Sequence, residues 1–220
     1  MWLFFYKNME FLPKEIKKYS EYHTEKEPEL LKKLNRETWA QVMTPRMLSG
    51  HIQGRALSMF SKMINPQNII EVGTYTGYSA LCLAEGLTKS GSLHTIDINE
   101  ETTSIARRYF NKSEFSNKIH QHIGNGLEII PKIDCNFQLA FIDADKENYS
   151  AYFDLIIEKM DINGYIIADN VLWSGKVVNK QLDNETRALD EYNKKMMNDE
   201  RVETMLLPIR DGLMISRKIR

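Results

Sequence analysis

Asp143, Asp169 and Asn170 are three oxygen-bearing residues placed where two apolar runs stop. The first run, residues 137–142, leads into F-I-D-A-D-K-E-N-Y; the second, residues 165–168, lies in G-Y-I-I-A-D-N-V-L-W. Short apolar runs halted by polar residues read as buried parallel strands. In an open α/β sheet the ligand crevice lies outside the carboxyl ends of the strands. The three oxygen donors are therefore expected to converge there. An oxygen set without His or Cys suits a hard cation such as Mg²⁺. Lys146, three residues past Asp143, brings an amine beside them. Either aspartate alone could cap a helix or loop. Together with Asn170 they point to metal-assisted chemistry on an oxygen-bearing substrate.

A second cluster precedes these. Residues 68–72 form another apolar run, which continues through E-V-G-T-Y-T-G-Y-S, residues 71–79. Gly73 and Gly77 allow a tight turn and close approach of the backbone to a ligand. The next helix N-terminus offers free N–H groups to an anionic part of that ligand. A further strand ends at Asp97 in H-T-I-D-I-N, where an acid can accept from both hydroxyls of a ribose. The loop is G-x-x-x-G preceded by Glu71, not G-x-G-x-x-G. A pyrophosphate disfavours an acid there, whereas a ligand with an amino or cationic portion suits it. This favours S-adenosylmethionine over NAD.

These residues need a scaffold, and the chain alternates as βα units do. Helical patterns cover residues 13–19, 27–42 and 55–64, with the turn-rich stretch T-P-R-M-L-S-G-H-I-Q-G-R before the third. Strands follow at 68–72, 92–97, 118–123, 137–143 and 165–169. Helices fall at 78–87, 100–110, 127–130, 149–159 and 184–197. Two closing strands, 201–207 and 212–217, are joined by P-I-R-D-G as a hairpin, which makes one strand antiparallel. Repeated βα units imply a parallel sheet with right-handed crossovers. The expected organisation is a single domain over 1–220, with a helical part at 1–65 and an α/β core at 66–220.

Composition adds boundaries. At 220 residues, 42% hydrophobic and 27% charged, the chain has enough length for a substantial core. A net charge of −1 carries no global nucleic-acid signal. Cys82 and Cys135 read as reduced hydrophobes rather than a disulfide framework, which fits a cytoplasmic setting. The apolar stretch 2–6 is too short for a signal peptide or a membrane span. Met9 is a candidate start, with the eight residues before it an upstream extension.

The motifs M-L-S-G-H-I-Q-G-R, E-V-G-T-Y-T-G-Y-S, T-I-D-I-N, F-I-D-A-D-K-E-N-Y, A-D-N-V-L-W-S-G-K-V and L-P-I-R-D-G-L lie between residues 47 and 213, in a match that runs from about Pro45 to the C-terminus. With them the chain resembles the cation-dependent class I O-methyltransferases, the group that includes caffeoyl-CoA and catechol O-methyltransferases, and most closely their bacterial branch. The resemblance implies a Rossmann-like α/β fold with seven strands in the order 3-2-1-4-5-7-6, the seventh antiparallel. It implies S-adenosyl-L-methionine bound by Glu71, Gly73, Thr74, Ser79 and Asp97, with Ser49, Gly126 and Asp145 also on the cofactor side. Many relatives carry G-D-A where this chain has G-N-G, so Asn125 is a departure beside the adenine position. It further implies Mg²⁺, or another divalent cation such as Mn²⁺ or Ca²⁺, on Asp143, Asp169 and Asn170. Lys146 is then the catalytic base, the acceptor a catechol-like or other small aromatic hydroxyl compound, and the assembly a homodimer.

Other residues carry plainer readings. Tyr149 reads as packing, and Trp173 as either core or a substrate-facing wall. The histidines show no metal-ligand spacing; His120 and His122 share one strand face. The charged run 187–195 reads as a solvated helix face. The segment after Trp173 is expected to shape the acceptor entrance. A rival substrate is a hydroxylated uridine in tRNA, with Arg46, Arg55, Arg217, Lys218 and Arg220 as phosphate contacts. A nicotinamide dehydrogenase fits the sheet but lacks the pyrophosphate loop. A non-catalytic binding protein fits poorly with Asp143, Lys146, Asp169 and Asn170 all present.

Overall fold

A computed structural model describes residues 12–220; the stretch 2–6 and Met9 lie outside the described residues. Three helices come first: α1 (Lys14–Tyr22), α2 (Glu29–Gln41) and α3 (Gly50–Ile64). The alternating part follows with β1 (Asn68–Val72), α4 (Tyr78–Ala84), β2 (Ser92–Asp97), α5 (Glu100–Phe110) and β3 (Ile119–Ile123). It continues with α6 (Gly126–Ile129), β4 (Phe137–Ile142), α7 (Tyr149–Glu158), β5 (Met160–Ala168), α8 (Asn184–Asn198), β6 (Val202–Leu207) and β7 (Leu213–Lys218). The sheet order is β3-β2-β1-β4-β5-β7-β6. β7 runs antiparallel to both its neighbours, and the other described pairs are parallel. This is the seven-stranded Rossmann-like arrangement expected from the motifs.

Period-two alternation sends side chains of the central strands to two separate cores. Ile70, Ala140, Ile142, Ile166 and Ala168 pack with α7 and α8 through Phe153, Ile156, Leu189 and Tyr192. Ile69, Leu139, Phe141 and Ile167 pack on the opposite face with Leu34, Leu57, Leu81 and Tyr109 from α2, α3, α4 and α5. The helices carry local start signals. Asn99 caps α5 by accepting from the backbone N–H groups of Glu101 and Thr102, and Asp183 caps α8 through Thr186. Among the described residues no helix is long and apolar enough to cross a membrane.

Two boundaries differ from the pattern-based expectation. α3 begins at Gly50, not 55, after a 3-10 turn at Pro45–Met47. Tertiary contact explains this: a Cβ on Gly54 would lie 2.5 Å from the Tyr78 ring and 2.9 Å from Cys82 Sγ. The glycine that reads as a breaker is the point where α3 and α4 meet closely. β5 begins at Met160, not 165, because Met160 pairs with Phe137 before the register shifts between Phe137 and Leu139; Asn163, at φ +68°, lies in the extra length of β5.

Candidate active site at the carboxyl edge of the sheet

Asp143 and Asp169 each lie one residue past their strand, and the backbone carries the ladder one step further. Asp143 N–H donates to Val72 O at 2.8 Å, and Asp169 N–H to Ile142 O at 2.9 Å. The turns after β1, β4 and β5 therefore stand side by side. A Cβ on Gly73, at φ +107°, would fall 1.9 Å from the Asp143 carbonyl oxygen, so the glycine turn rests directly on the carboxylate turn.

Glu71 is fully buried at the floor of the glycine turn. Thr95 Oγ1 donates to its Oε2 at 2.5 Å, and Thr95 and Thr74 hydroxyls are 2.6 Å apart. Its Oε1 is buried with no hydrogen-bond partner. Burial pushes the carboxyl up to about 8; the nearby hydroxyls of Ser79 and Thr95 oppose that shift. A buried acid with one open oxygen fits an incoming amino or cationic group. Ser49 and Ser79 are both buried. Asp97 already serves the loops, accepting from Tyr75 N–H at 2.7 Å and Asn99 N–H at 2.9 Å. A carboxylate has about four acceptor positions, so capacity remains for ribose hydroxyls.

Gly126 and Asp145 are joined by one ring. A Cβ on Gly126 would lie 2.9 Å from Tyr152 Cε1, and Tyr152 Oη donates to Asp145 Oδ1 at 2.6 Å. Asn148 donates to the other Asp145 oxygen. Asn125 caps α6 through Leu127 N–H at 2.9 Å. Its amide oxygen therefore serves the backbone.

A further cluster centres on Lys146, which is 8% exposed. Its Nζ donates to Asp143 Oδ1 at 3.1 Å, Asn170 Oδ1 at 2.9 Å and Tyr149 Oη at 2.6 Å. Tyr149 Oη donates in turn to the Asp169 carbonyl at 3.1 Å. The Trp173 ring lies 5.5 Å from the same amine and packs on the core, as one of its two readings has it. Asp169 is 2% exposed; Asn170 N–H donates to its Oδ1 at 2.7 Å and Gln53 Nε2 to its Oδ2 at 2.6 Å. Burial, then the Asp143 charge, pushes the Asp169 carboxyl up to about 7. Two neighbouring carboxylates and an amide oxygen form a hard donor set suited to a dication. Among the described residues no three His, Cys, Asp or Glu side chains gather as a metal cluster; here the third oxygen comes from an amide.

Pattern reading missed three residues of this region. Tyr149 was expected only to pack, yet its hydroxyl bridges Lys146 and Asp169. Gln53 and Arg210 carried no assignment, although both stand inside quoted motifs. Their contacts cross the whole chain, and no local spacing announces them. Tyr149→Phe removes a buried hydroxyl bonded at both ends. Such a loss costs about 1–3 kcal/mol. Urea unfolding is expected to show that loss as a lower midpoint at unchanged slope.

Elsewhere, β2–β3 register brings a third histidine to the pair on β3. His94 Nδ1 is 3.1 Å from His122 Nε2, and burial with two imidazole neighbours pushes His94 down to about 4. The basic residues considered as phosphate contacts are largely engaged by the chain. Arg55 pairs with Glu85, Arg217 with Glu203, Arg220 with Glu200, and Lys218 serves the carbonyls of Ile157 and Met160.

Comparison with known proteins agrees with this layout. A family described as O-methyltransferase matches residues 20–219. Caffeoyl-CoA O-methyltransferase of Mesembryanthemum crystallinum is 34% identical over 207 residues, covering 88% of this chain and 81% of that protein. Caffeoyl-CoA O-methyltransferase 1 of Arabidopsis thaliana is 33% identical over 207 residues, covering 88% and 80%. The SAH-bound methyltransferase PaMTH1 of Podospora anserina superposes with a TM-score of 0.87 at 25% identity, covering 94% of each chain. The O-methyltransferase of Bacillus cereus in complex with SAH gives 0.85 at 25% identity, covering 93% of this chain and 97% of that one. The chain belongs to the O-methyltransferase family, in its caffeoyl-CoA O-methyltransferase-like group, and is an S-adenosylmethionine-dependent O-methyltransferase.

Proposed function

We propose that this O-methyltransferase methylates one hydroxyl of a catechol-like or other small aromatic substrate, with a divalent cation held by Asp143, Asp169 and Asn170. The observation that supports it most is the position of the Lys146 amine among Asp143, Asn170 and Tyr149, in the turn whose Asp143 backbone meets Gly73. A cation held by Asp143, Asp169 and Asn170 would supply Lewis acidity and lower the pKa of a substrate hydroxyl.

The chain's own residues do the remaining work. Glu71 receives the amino end of S-adenosylmethionine, Ser79 its carboxylate, and Asp97 its ribose. The Gly73–Thr74 backbone lies along the methionine portion, and Ser49, Gly126 and Asp145 complete the pocket. The substrate oxygen attacks the methyl carbon while the carbon–sulfur bond breaks, its electron pair going to sulfur. The hydroxyl proton passes to Lys146 Nζ. Contact between the glycine turn and the Asp143 turn holds oxygen, carbon and sulfur near one line. Trp173 covers the amine and limits water. The same reading includes a homodimer in the cytoplasm, a setting consistent with the free thiols Cys82 and Cys135.

The test of the acceptor is S-adenosylmethionine consumption with catechols, caffeoyl esters and hydroxyuridine tRNA, each with and without Mg²⁺. Turnover confined to tRNA would overturn the small-aromatic reading. For the cofactor side, Asp97→Ala is expected to weaken S-adenosylmethionine binding by about 1.5–3 kcal/mol, or about 10- to 150-fold. Calorimetry reads this directly. Unchanged affinity in folded Asp97→Ala would remove Asp97 from the ribose site.

A further inference from the structure

The outer oxygen of Asp169 is held from the far side of the sheet edge. Gln53, on α3 and 1% exposed, donates from Nε2 to Asp169 Oδ2 at 2.6 Å. Its Oε1 accepts from Arg210 Nη1 at 2.7 Å. The same Arg210 nitrogen donates to the carbonyl of Leu48 at 3.2 Å and to that of Ser49. The amide has only one workable orientation. Flipped, it would set its NH₂ against a guanidinium and its oxygen against a carboxylate. The donors therefore run one way, from guanidinium to amide to carboxylate.

Arg210 reaches this position on a costly backbone. It lies in the β6–β7 turn at φ +52°, a left-handed conformation that side chains other than Gly, Asn and Asp rarely take. The turn is fastened to the segment after Asn170 by Leu172 N–H donating to Asp211 O at 2.9 Å and Val171 N–H to Gly212 O at 3.2 Å. A strained residue persists where its surroundings over-determine it. Here three acceptors from α3 and the turn before it converge on one guanidinium nitrogen.

We propose that Gln53 and Arg210 are positioning residues, a guanidinium–amide relay that fixes the Asp169 carboxylate and ties it to the backbone carbonyls of Leu48 and Ser49. This rests on the reading of Asp169 as a cation ligand. Groups that orient metal ligands typically contribute about 10–100-fold in metal affinity.

Mn²⁺ binding, read by the loss of the free-ion EPR signal, tests the relay without turnover. Gln53→Met keeps the volume and removes the amide. It is expected to weaken Mn²⁺ binding about 10–100-fold while S-adenosylmethionine affinity stays within about twofold. Arg210→Ala is expected to do the same to a smaller extent, and Arg210→Lys to recover part of it. The double variant should be no weaker than Gln53→Met alone, because the two act in series. Should Gln53→Met not fold, Arg210→Ala, at an exposed turn, carries the test. Wild-type Mn²⁺ affinity in folded Gln53→Met or in Arg210→Ala would overturn the relay. Asp169→Ala separates the two levels. If wild type binds Mn²⁺ and Asp169→Ala does not, while the Gln53 and Arg210 variants bind normally, only the relay fails. If wild type and Asp169→Ala bind Mn²⁺ alike, or neither does, the cation reading fails and the relay with it.

Discussion

Lys146→Ala is expected to lower kcat by about 10²–10⁴-fold, the usual contribution of a general base, with S-adenosylmethionine affinity nearly unchanged. An amine that accepts the substrate proton ends as an ammonium with three N–H groups. Three oxygens stand within 3.1 Å to receive them, on Asp143, Asn170 and Tyr149. These three oxygens fix where the amine sits. Lys146→Arg should not rescue, because a guanidinium stays protonated and cannot take the proton. Raising the pH should partly restore Lys146→Ala, since hydroxide then removes the hydroxyl proton. If Lys146 merely orients substrate, the arginine variant keeps substantial kcat and the alanine variant chiefly raises KM. A pH–rate comparison of the three forms decides between these roles. Near-normal kcat in Lys146→Arg would rule out the base assignment.

Chelation is expected to abolish turnover, with Mg²⁺ or Mn²⁺ restoring it. Asp169→Ala should match the chelated enzyme while still binding S-adenosylmethionine. The variant also strips an acceptor from two buried donors, Gln53 Nε2 and Asn170 N–H. Each such loss costs about 1–3 kcal/mol, so a lower midpoint of unfolding must be separated from lost chemistry. Asp169→Asn serves that purpose: it keeps the shape and one acceptor oxygen and removes the charge. Low activity in a stable Asp169→Asn protein, insensitive to added Mg²⁺, is the expected result. Full turnover of wild type in excess chelator would sink the cation mechanism.

Much of this layout was legible before any coordinates. β1 and β2 fall at 68–72 and 92–97 as the alternating βα pattern predicts, because buried parallel strands leave a local signature. The sheet order follows from the family motifs, and the strand ends then place Asp143 and Asp169 at one edge. Local patterns failed where a distant partner decided the outcome. Gly54 reads as a breaker but is the contact between α3 and Tyr78. His94 joins His122 only through strand register. The Tyr149 hydroxyl, Gln53 and Arg210 look ordinary in sequence.

The sequence by itself determined the βα order, the acids at the strand ends and the glycine turn. Each of these depends on residues within a few positions of one another, where side-chain type and backbone conformation are coupled. Only the tertiary structure decided that Gln53 meets Asp169 across 116 positions and Arg210 meets Gln53 across 157. Nothing local fixes such contacts. They exist because β5, β7 and α3 pack together, and a buried carboxylate draws whatever donors that arrangement brings within reach.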